Sequence, residues 1–457
     1  MASAVTEHDK ARAEPPLPKQ SRLVYPKMGV LFVVVVGCFT AWGIAADLTT
    51  PMVAGFKRIF EMSTFQASLV QLAYYGAYFL LALPAAFINE RFGYKAGLLT
   101  GLALAAAGAF LFYPASKIMT YEAFLIALFA IAAGCSILET SANPYVISLG
   151  PEESATRRLN LAQAFNPVGT NIGVLVAATL ILPKLDSPVD LASASPEQVQ
   201  VIRAGQLGAV MGPYIGLGCL LLAIWFVIAS QKAPKIIEEF PDSGDAGRGA
   251  TFRLLWHNNR YRFGVVAQFF NVAAQVCTWT YIIAYVQQAI DGSLALGGYL
   301  LQISLIIFLL SRFVMTWVIG RIRATKVLAA LGALAVLLCL YAAAVPNITG
   351  VVALVAVSFC LSLMFPTIYG VALEGLGPAT KFGAAGLVMA IVGGAIMPLV
   401  QGRLLDATSA ATSFVVPAIC FAAVTLFAVY DLVAKRQPPR TTETAVLTSD
   451  ASDGTAR

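Results

Sequence analysis

Glu139 is the residue of this sequence with the clearest chemical purpose. It is the only charged residue between Glu122 and Glu152, within an apolar run long enough to cross a bilayer as a helix. An acidic side chain at the centre of a membrane helix costs about 2.5 to 3.5 kcal/mol on insertion scales. We therefore expect Glu139 to face a polar cavity and to handle a proton there. The alternative is a carboxyl group that stays protonated and bonds to a neighbour on a packed helix face.

Two further apolar runs carry one charge each. Asp47 is the only charged residue in 28–56, and Arg312 is the only one in 292–320. Asp47 lies nearer its helix end than Glu139 does, so it is either a second proton-coupling carboxylate or a solvated residue at the cavity mouth. Arg312 either pairs with another group to hold or gate the cavity, or extends its long side chain toward the inner surface.

Amide side chains are unusually dense near these charges. Gln163 and Asn166 are three residues apart, and Asn271 and Gln275 are four apart, so each pair shares a helix face. The full set is Asn143, Asn160, Gln163, Asn166, Asn171, Gln268, Asn271 and Gln275. Amides facing lipid would lack partners, so these side chains should point inward. They either join helices or bind the hydroxyl groups of a sugar, because an amide both donates and accepts hydrogen bonds.

Aromatic residues near the amides offer flat apolar surfaces for the C–H face of a sugar ring. They are Trp42, Tyr74, Tyr75, Trp279 and Tyr281. Packing or anchoring at the membrane interface would explain each of them equally well.

The composition places the chain in a membrane. Of its 457 residues, 58% are apolar and 12% charged, about half the charged fraction of a soluble domain. The segment 1–27 is polar and lacks the apolar core of a cleaved signal. We therefore predict an all-α membrane protein with twelve transmembrane helices, named spans 1 to 12. They lie at about 28–50, 65–88, 96–115, 121–148, 158–183, 210–230, 260–290, 296–319, 326–345, 350–373, 382–403 and 412–434.

The distribution of positive charge predicts the orientation. If both ends face the cytoplasm, most of the 30 Lys and Arg residues lie in inner loops and tails. Topology thus explains the net charge of +6 better than nucleic-acid binding does, because the positive residues are dispersed. The predicted domains are a cytoplasmic tail (1–27), a six-helix bundle (28–230), a cytoplasmic linker (231–259), a second six-helix bundle (260–434) and a cytoplasmic tail (435–457). The linker has Pro and Gly among charges, and we expect both tails to be disordered.

The two halves resemble each other in sequence. A Gly-Pro pair precedes span 5 and span 11, and from Thr156 and Thr380 onward the two segments keep a constant register. Duplication of a six-helix unit explains this match economically. Parallel repeats around a site at the membrane midplane are the architecture of the major facilitator class of secondary transporters.

Other chemistry has little support in the sequence. His8 and His257 are the only histidines, and both lie outside the spans. There is no GxxxxGK[ST], GxSxG or HExxH motif, so we predict no enzyme activity, no cofactor and no metal site. The seven cysteines lie in apolar segments and are interpreted as packing residues.

The string LETSANPYVISLGPEESATRRLNLAQAFNPVGTNIG resembles the signature of the L-fucose/proton symporter family. Further similar segments are FxAWGIAADL on span 1, SLVQLAYYGAYFLLALPA on span 2, ERFGYKAGLLTGL after it, AQFFNVAAQVCTWTYI on span 7 and MFPTIYGVALEGLG on span 10. The resemblance implies that Glu139 serves proton-linked substrate handling and that Gln163 and Asn166 line the sugar cavity. The family has its proton-coupling Asp at the position of Thr50, and Asp47 lies three residues earlier, so Asp47 is a candidate replacement.

These observations predict a sugar/proton symporter of the bacterial inner membrane that imports L-fucose or a related monosaccharide by alternating access. The predicted proton-coupling residues are Glu139 and Asp47. The predicted sugar-binding residues are Gln163, Asn166, Asn143, Gln275, Asn271, Trp42 and Trp279, with Arg312 in gating or charge pairing. The expected partners are the sugar, a proton and the bilayer, without nucleic acid, and a monomer suffices. Alternatives are an uncoupled facilitator, a symporter for another small polar solute, a membrane sugar sensor and, last, a membrane enzyme.

Overall fold

The computed structural model describes residues 23–26, 28–59, 64–181, 196–231 and 244–434. The predicted tails and the middle of the linker fall outside these ranges. The backbone at Asp47 and Thr50 belongs to span 1, but the side chains of both residues lie outside the described part. All regular structure within the described ranges is helical.

The helices follow the order of the predicted spans. In the first half they are Gly29–Ile59 (span 1), Thr64–Ile118 (spans 2 and 3), Tyr121–Ser148 (span 4), Ala155–Gln163 with Asn166–Val176 (span 5) and Pro196–Ser230 (span 6). In the second half they are Asn259–Ile290 (span 7), Leu294–Val318 (span 8), Ala324–Ala344 (span 9), Ile348–Leu361 with Met364–Leu373 (span 10), Thr380–Met389 with Gly393–Ala407 (span 11), and Ala410–Ser413 with Val415–Ala434 (span 12). The linker also contains a helix, Gly244–His257.

One long helix accounts for two predicted spans. Eleven helices of the described ranges are long and apolar enough to cross a membrane, and one of them, Ala73–Ile118, has 46 residues. At 1.5 Å per residue it would be about twice as long as the hydrocarbon core is thick. The chain breaks at Gly93, where φ is 83° and ψ is 167°. A side chain disfavours that conformation, so glycine marks the turn between spans 2 and 3.

Small residues bring span 1 and span 5 into close contact. A Cβ atom on Gly43 would lie 2.2 Å from the Asn166 carbonyl oxygen, and one on Gly169 would lie 1.9 Å from the Thr40 carbonyl oxygen. Such contacts are possible only without side chains, and they let two membrane helices approach at their backbones. Span 5, which carries Gln163 and Asn166, is thus held against span 1.

Arg158 fixes the connection between spans 4 and 5. Its side chain is buried, and it donates hydrogen bonds to the carbonyl oxygens of Val146 at 2.7 Å, Leu23 at 2.8 Å and Gly150 at 3.1 Å. The last carbonyl groups of a helix lack intrahelical partners, and a guanidinium with five donors can satisfy several of them. Arg158 therefore closes the end of span 4, the helix that carries Glu139.

Candidate functional site

Glu139 lies in the interior of span 4, with no exposed surface. Neither carboxylate oxygen has a hydrogen-bond partner among the residues that the structure describes. A buried carboxylate without hydrogen-bond partners is costly when charged, so this position is suited to binding a proton or a polar ligand.

The amide of Gln163 joins spans 4 and 5 beside this acid. Its Nε2 atom donates to Asn143 Oδ1 at 2.8 Å, and both side chains are buried. Asn143 lies four residues after Glu139 and therefore on the same face of span 4. The structure thus brings together three residues that the sequence predicted to act at one site.

Arg312 reaches this group from the second half of the chain. Only 6% of its surface is exposed, so its side chain does not extend to the inner surface. It donates to the main-chain carbonyl oxygen of Gln163 at 2.5 Å and lies over the Phe308 ring at 4.6 Å. It also interacts electrostatically with Glu139, although no ion pair forms within 4.0 Å.

The other amides of span 5 bond to neighbouring helices. Asn166 Nδ2 donates to the Phe39 carbonyl oxygen at 3.4 Å, within the first half. Asn160 Nδ2 donates to Thr367 Oγ1 at 3.3 Å, across to span 10. In this structure both amides serve helix contacts, which is the alternative that the sequence left open for each of them.

Span 7 carries a second polar group that lacks protein partners. Gln268 and Asn271 are fully buried, and neither amide has a hydrogen bond on its nitrogen or oxygen within the described ranges. Gln275, on the same face, is half-buried. A buried amide without partners costs about 1 to 3 kcal/mol, so this face is suited to a polar ligand.

The two tryptophans predicted to stack on a sugar are held by hydrogen bonds. Trp42 Nε1 donates to the Tyr78 hydroxyl at 2.8 Å, and Trp279 Nε1 donates to Ser358 Oγ at 3.1 Å. Trp279 also contacts Phe308 edge to face, with ring centroids 5.0 Å apart. Both indoles are half-buried, so part of each ring remains accessible.

Sequence reasoning missed two tyrosines of this site. Tyr78 and Tyr369 are fully buried, and both interact electrostatically with Glu139. Tyr369 lies in the segment MFPTIYG, and Tyr78 lies one turn after Tyr74. Nothing in the sequence separates these two from the other 14 tyrosines, because their role depends on contacts between distant spans.

A cavity lies near one end of the described helices, and Glu139 is not among the residues that line it. It has a volume of about 850 Å³ and opens at the ends of spans 4, 5, 8 and 10, with Thr156, Arg157, Arg321 and Glu374 in its lining. Its charged groups have both signs. Among the described residues, no group of three His, Cys, Asp or Glu side chains is placed to hold a metal ion.

Comparison with known proteins adds independent information. A family model described as Major Facilitator Superfamily matches residues 31–395 of the chain. The L-fucose-proton symporter of Haemophilus influenzae is 38% identical over 420 residues, covering 89% of this chain and 97% of that protein. The Glucose/galactose transporter of Brucella abortus biovar 1 is 32% identical over 391 residues, covering 85% of this chain and 91% of that protein.

One solved structure is similar along nearly its whole length. It is a crystal structure of a Major Facilitator Superfamily transporter, FucP, in the outward conformation. Its TM-score is 0.83 at 36% sequence identity, and the match covers 89% of this chain and 99% of that one.

Proposed function

We propose, because this chain belongs to the major facilitator superfamily and to its L-fucose/proton symporter family, that it carries a monosaccharide across the membrane together with a proton. The observation that supports the proposal most directly is the burial of Glu139 without a hydrogen-bond partner. This carboxylate is fully buried and has no hydrogen-bond partner among the described residues, and Asn143 of span 4 and Arg312 of span 8 are the polar groups that act on it.

Protonation of Glu139 would link the proton to the conformational cycle. A neutral carboxyl group loses most of the cost of burial, so the protonated carrier can cross between its outward and inward states. After sugar and proton leave on the other side, the empty carrier must return, and Arg312, which interacts electrostatically with Glu139, would offset the restored negative charge during that return. One half of the chain rocks against the other around this site.

The sugar is proposed to lie between the two halves. Asn143, Gln163 and Asn166 supply donors and acceptors from the first half, and Asn271 and Gln275 supply them from the second. Trp42 and Trp279 present half-buried rings to the sugar's C–H face. The unpartnered amide of Asn271 supports a ligand on this face.

The same transport mechanism suggests roles for two further residues, Asp47 and Arg312. Asp47 is proposed as the second proton-coupling carboxylate in place of the acid that the family has at Thr50. Arg312 is proposed to gate the cavity through its contact with span 5. The cavity near Thr156 lies at the end that we propose to be cytoplasmic, where the sugar would leave.

The cellular setting is proposed from the charge distribution. We place the protein in the bacterial inner membrane with both termini in the cytoplasm, as a monomer of two six-helix bundles, 28–230 and 260–434. Most Lys and Arg residues then lie on the inner side, which supports this orientation.

Uptake into membrane vesicles tests the function. Purified protein in liposomes should accumulate labelled L-fucose or a related monosaccharide only when a proton gradient is imposed. Glucose and galactose belong in the panel, because one relative is named for them. Uptake that equilibrates equally with and without the gradient would identify an uncoupled facilitator instead.

Asp47 is tested by separating exchange from accumulation. Asp47→Asn keeps the shape of a protonated acid but cannot release a proton. We expect it to exchange sugar and to lose accumulation, and Asp47→Ala with Thr50→Asp should restore part of it. Wild-type accumulation by Asp47→Asn with an unchanged pH dependence would remove Asp47 from the coupling mechanism.

A further inference from the structure

Span 5 has a main-chain carbonyl group that lacks its helical donor. In an α-helix the carbonyl oxygen of Gln163 would accept from the N–H group four residues later. That residue is Pro167, which has no N–H group. The helix is interrupted here, ending at Gln163 and starting again at Asn166.

Arg312 supplies the missing donor from the other half of the chain. Its Nη1 atom lies 2.5 Å from the Gln163 carbonyl oxygen, and its Nε atom has no partner among the described residues. Arg312 is nearly fully buried. A charged donor on a buried carbonyl group makes a stronger hydrogen bond than a neutral one.

Span 4 shows the same backbone defect without a link between the halves. Pro144 leaves the Thr140 carbonyl oxygen without its helical donor, and Asn89 Nδ2 donates to this oxygen at 3.4 Å. Asn89 and Thr140 both belong to the first half. The bond from Arg312 to Gln163 is therefore different in kind, because it joins spans 5 and 8 across the halves.

This bond lies inside a continuous contact between spans 5 and 8. Next to this bond, the Phe165 and Phe313 rings meet edge to face with centroids 5.6 Å apart. About two turns farther along span 5, Asn171 Oδ1 accepts a hydrogen bond from Gln302 Nε2 of span 8 at 3.2 Å. If the halves separate along spans 5 and 8, the bond between Arg312 and Gln163 must break.

We propose that Pro167 and Arg312 together form a clamp between the halves, in which the proline exposes the Gln163 carbonyl oxygen and the guanidinium of Arg312 holds it. The clamp rests on the proposed transport function and gives Pro167 and Arg312 positioning roles in it. Gln163 then has two tasks, since its side chain bonds to Asn143 while its main chain holds Arg312.

Release of the clamp leaves a buried positive charge that needs a new partner. Glu139 is a carboxylate with which Arg312 already interacts electrostatically, and neither of its oxygens has a hydrogen bond within the described ranges. The guanidinium can therefore pass between a carbonyl oxygen of span 5 and the carboxylate of span 4. This exchange would connect separation of the halves to the state of the acid.

A cross-linking assay measures the clamp without requiring transport. The reporter carries Asn171→Cys and Gln302→Cys, with Cys219→Ser to remove the exposed cysteine, and a short thiol-reactive linker measures how often spans 5 and 8 meet. On this background we compare Pro167→Ala, Arg312→Met, their combination and Arg312→Lys. Pro114→Ala is the matched control, because Pro114 is an exposed proline within a helix of the first half.

Pro167→Ala restores an N–H group that competes for the Gln163 carbonyl oxygen. We expect this variant and Arg312→Met each to slow cross-linking about tenfold, Arg312→Lys to recover part of the rate, and Pro114→Ala to match the reporter. The double variant should cross-link no more slowly than Arg312→Met alone, because both substitutions break the same bond between Arg312 and the Gln163 carbonyl oxygen. Additive effects in the double variant, or a wild-type rate in Pro167→Ala, would overturn the clamp.

A separate uptake measurement distinguishes failure of the clamp from failure of the proposed transport function. Labelled L-fucose, glucose and galactose uptake is measured in liposomes with the cysteine-containing wild type. Absence of gradient-driven uptake of every sugar there would refute the symport proposal, whatever the cross-linking rates. If Arg312→Met does not fold, Pro167→Ala against Pro114→Ala still decides between a clamp and a passive kink.

Discussion

Glu139 and Asp431 are both fully buried carboxylates, one in each half, and their surroundings differ completely. Asp431 Oδ1 lies 2.8 Å from Arg260 Nε, and Asp431 Oδ2 accepts from Thr325 Oγ1 at 2.9 Å and lies 3.6 Å from Arg323 Nη2. No atom in the described part of the chain has hydrogen-bonding geometry to either Glu139 oxygen, and Asn143 and Arg312 act on this carboxylate from farther away.

The difference predicts a structural role for Asp431 and a role in transport for Glu139. Asp431 ties spans 7, 9 and 12 together at one end of the second half, and its charge is compensated by fixed partners. Glu139 lacks such compensation, so its charge can change as ligand, proton and Arg312 change around it.

The largest expected effect is that of Glu139→Gln. The amide keeps the shape of the protonated acid, so the variant should fold as well as the wild type and lose gradient-driven sugar accumulation entirely. Accumulation in liposomes and thermal unfolding in detergent measure the two quantities. A variant that accumulates sugar normally would make Glu139 a passive packing residue, and the contrast with Asp431 would disappear.

Asp431→Ala should lower stability and leave sugar accumulation intact, the opposite of Glu139→Gln. Removing one member of a buried ion pair leaves its cation uncompensated, and we expect a loss of up to about 3 kcal/mol in unfolding free energy. The expected loss is at the low end for buried pairs because the Arg260 side chain is 22% exposed. Folded protein should still accumulate sugar. Loss of accumulation at full stability would show that the second half also handles the proton.

A smaller effect is expected where only one bond to Asp431 is removed. Thr325→Val keeps the side-chain shape and deletes the hydroxyl donor. A hydrogen bond to a charged group contributes about 1.5 to 3 kcal/mol, and the two arginines remain. We expect a lower unfolding temperature with unchanged sugar affinity, measured by detergent-based thermal unfolding and by calorimetry. An unfolding temperature equal to that of the wild type would show that the arginines alone satisfy Asp431.

Gln163→Ala tests the polar neighbour of Glu139 against its counterpart in the repeat. Loss of an amide whose partner stays unpaired costs about 1 to 3 kcal/mol, so sugar binding should weaken roughly tenfold. The control is Leu387→Ala at the corresponding buried position of span 11, which should reduce stability by about 2 to 5 kcal/mol and leave affinity unchanged. Unchanged calorimetric affinity in Gln163→Ala would assign this amide to helix packing.

The fold was predictable from the sequence to a large extent. The twelve-helix arrangement of the major facilitator superfamily is confirmed by the family match and by the similarity to FucP. The apolar part of span 6, Met211–Ser230, lies where it was predicted, and the helix also includes an earlier segment that begins at Pro196. That segment has helix-forming residues but too little apolarity for a hydropathy criterion to include it.

The repeat between spans 5 and 11 is visible in both sequence and structure. Each begins with a 3₁₀ turn, at Glu152–Ser154 and at Gly377–Ala379, and each helix is interrupted near its middle. The side chains at corresponding positions diverge, as at Gln163 and Leu387. Backbone geometry is thus shared between the halves while the polar chemistry is not.

Local composition was enough to predict which segments cross the membrane and which of them carry isolated charges and amides. These properties depend on local composition, because a bilayer selects runs of apolar residues regardless of their neighbours. It also identified Glu139, since a lone charge in such a run is costly wherever the helix packs.

The partners of these charges and amides could be identified only from the packing of the helices. The structure showed that Arg312 bonds to a main-chain oxygen of span 5, that Asn166 bonds to span 1, and that Tyr369 lies near Glu139. Hydrogen bonds and electrostatic interactions depend on distances of a few ångströms between atoms. Residues far apart in sequence reach such distances only through the packing of whole helices, which no local pattern encodes.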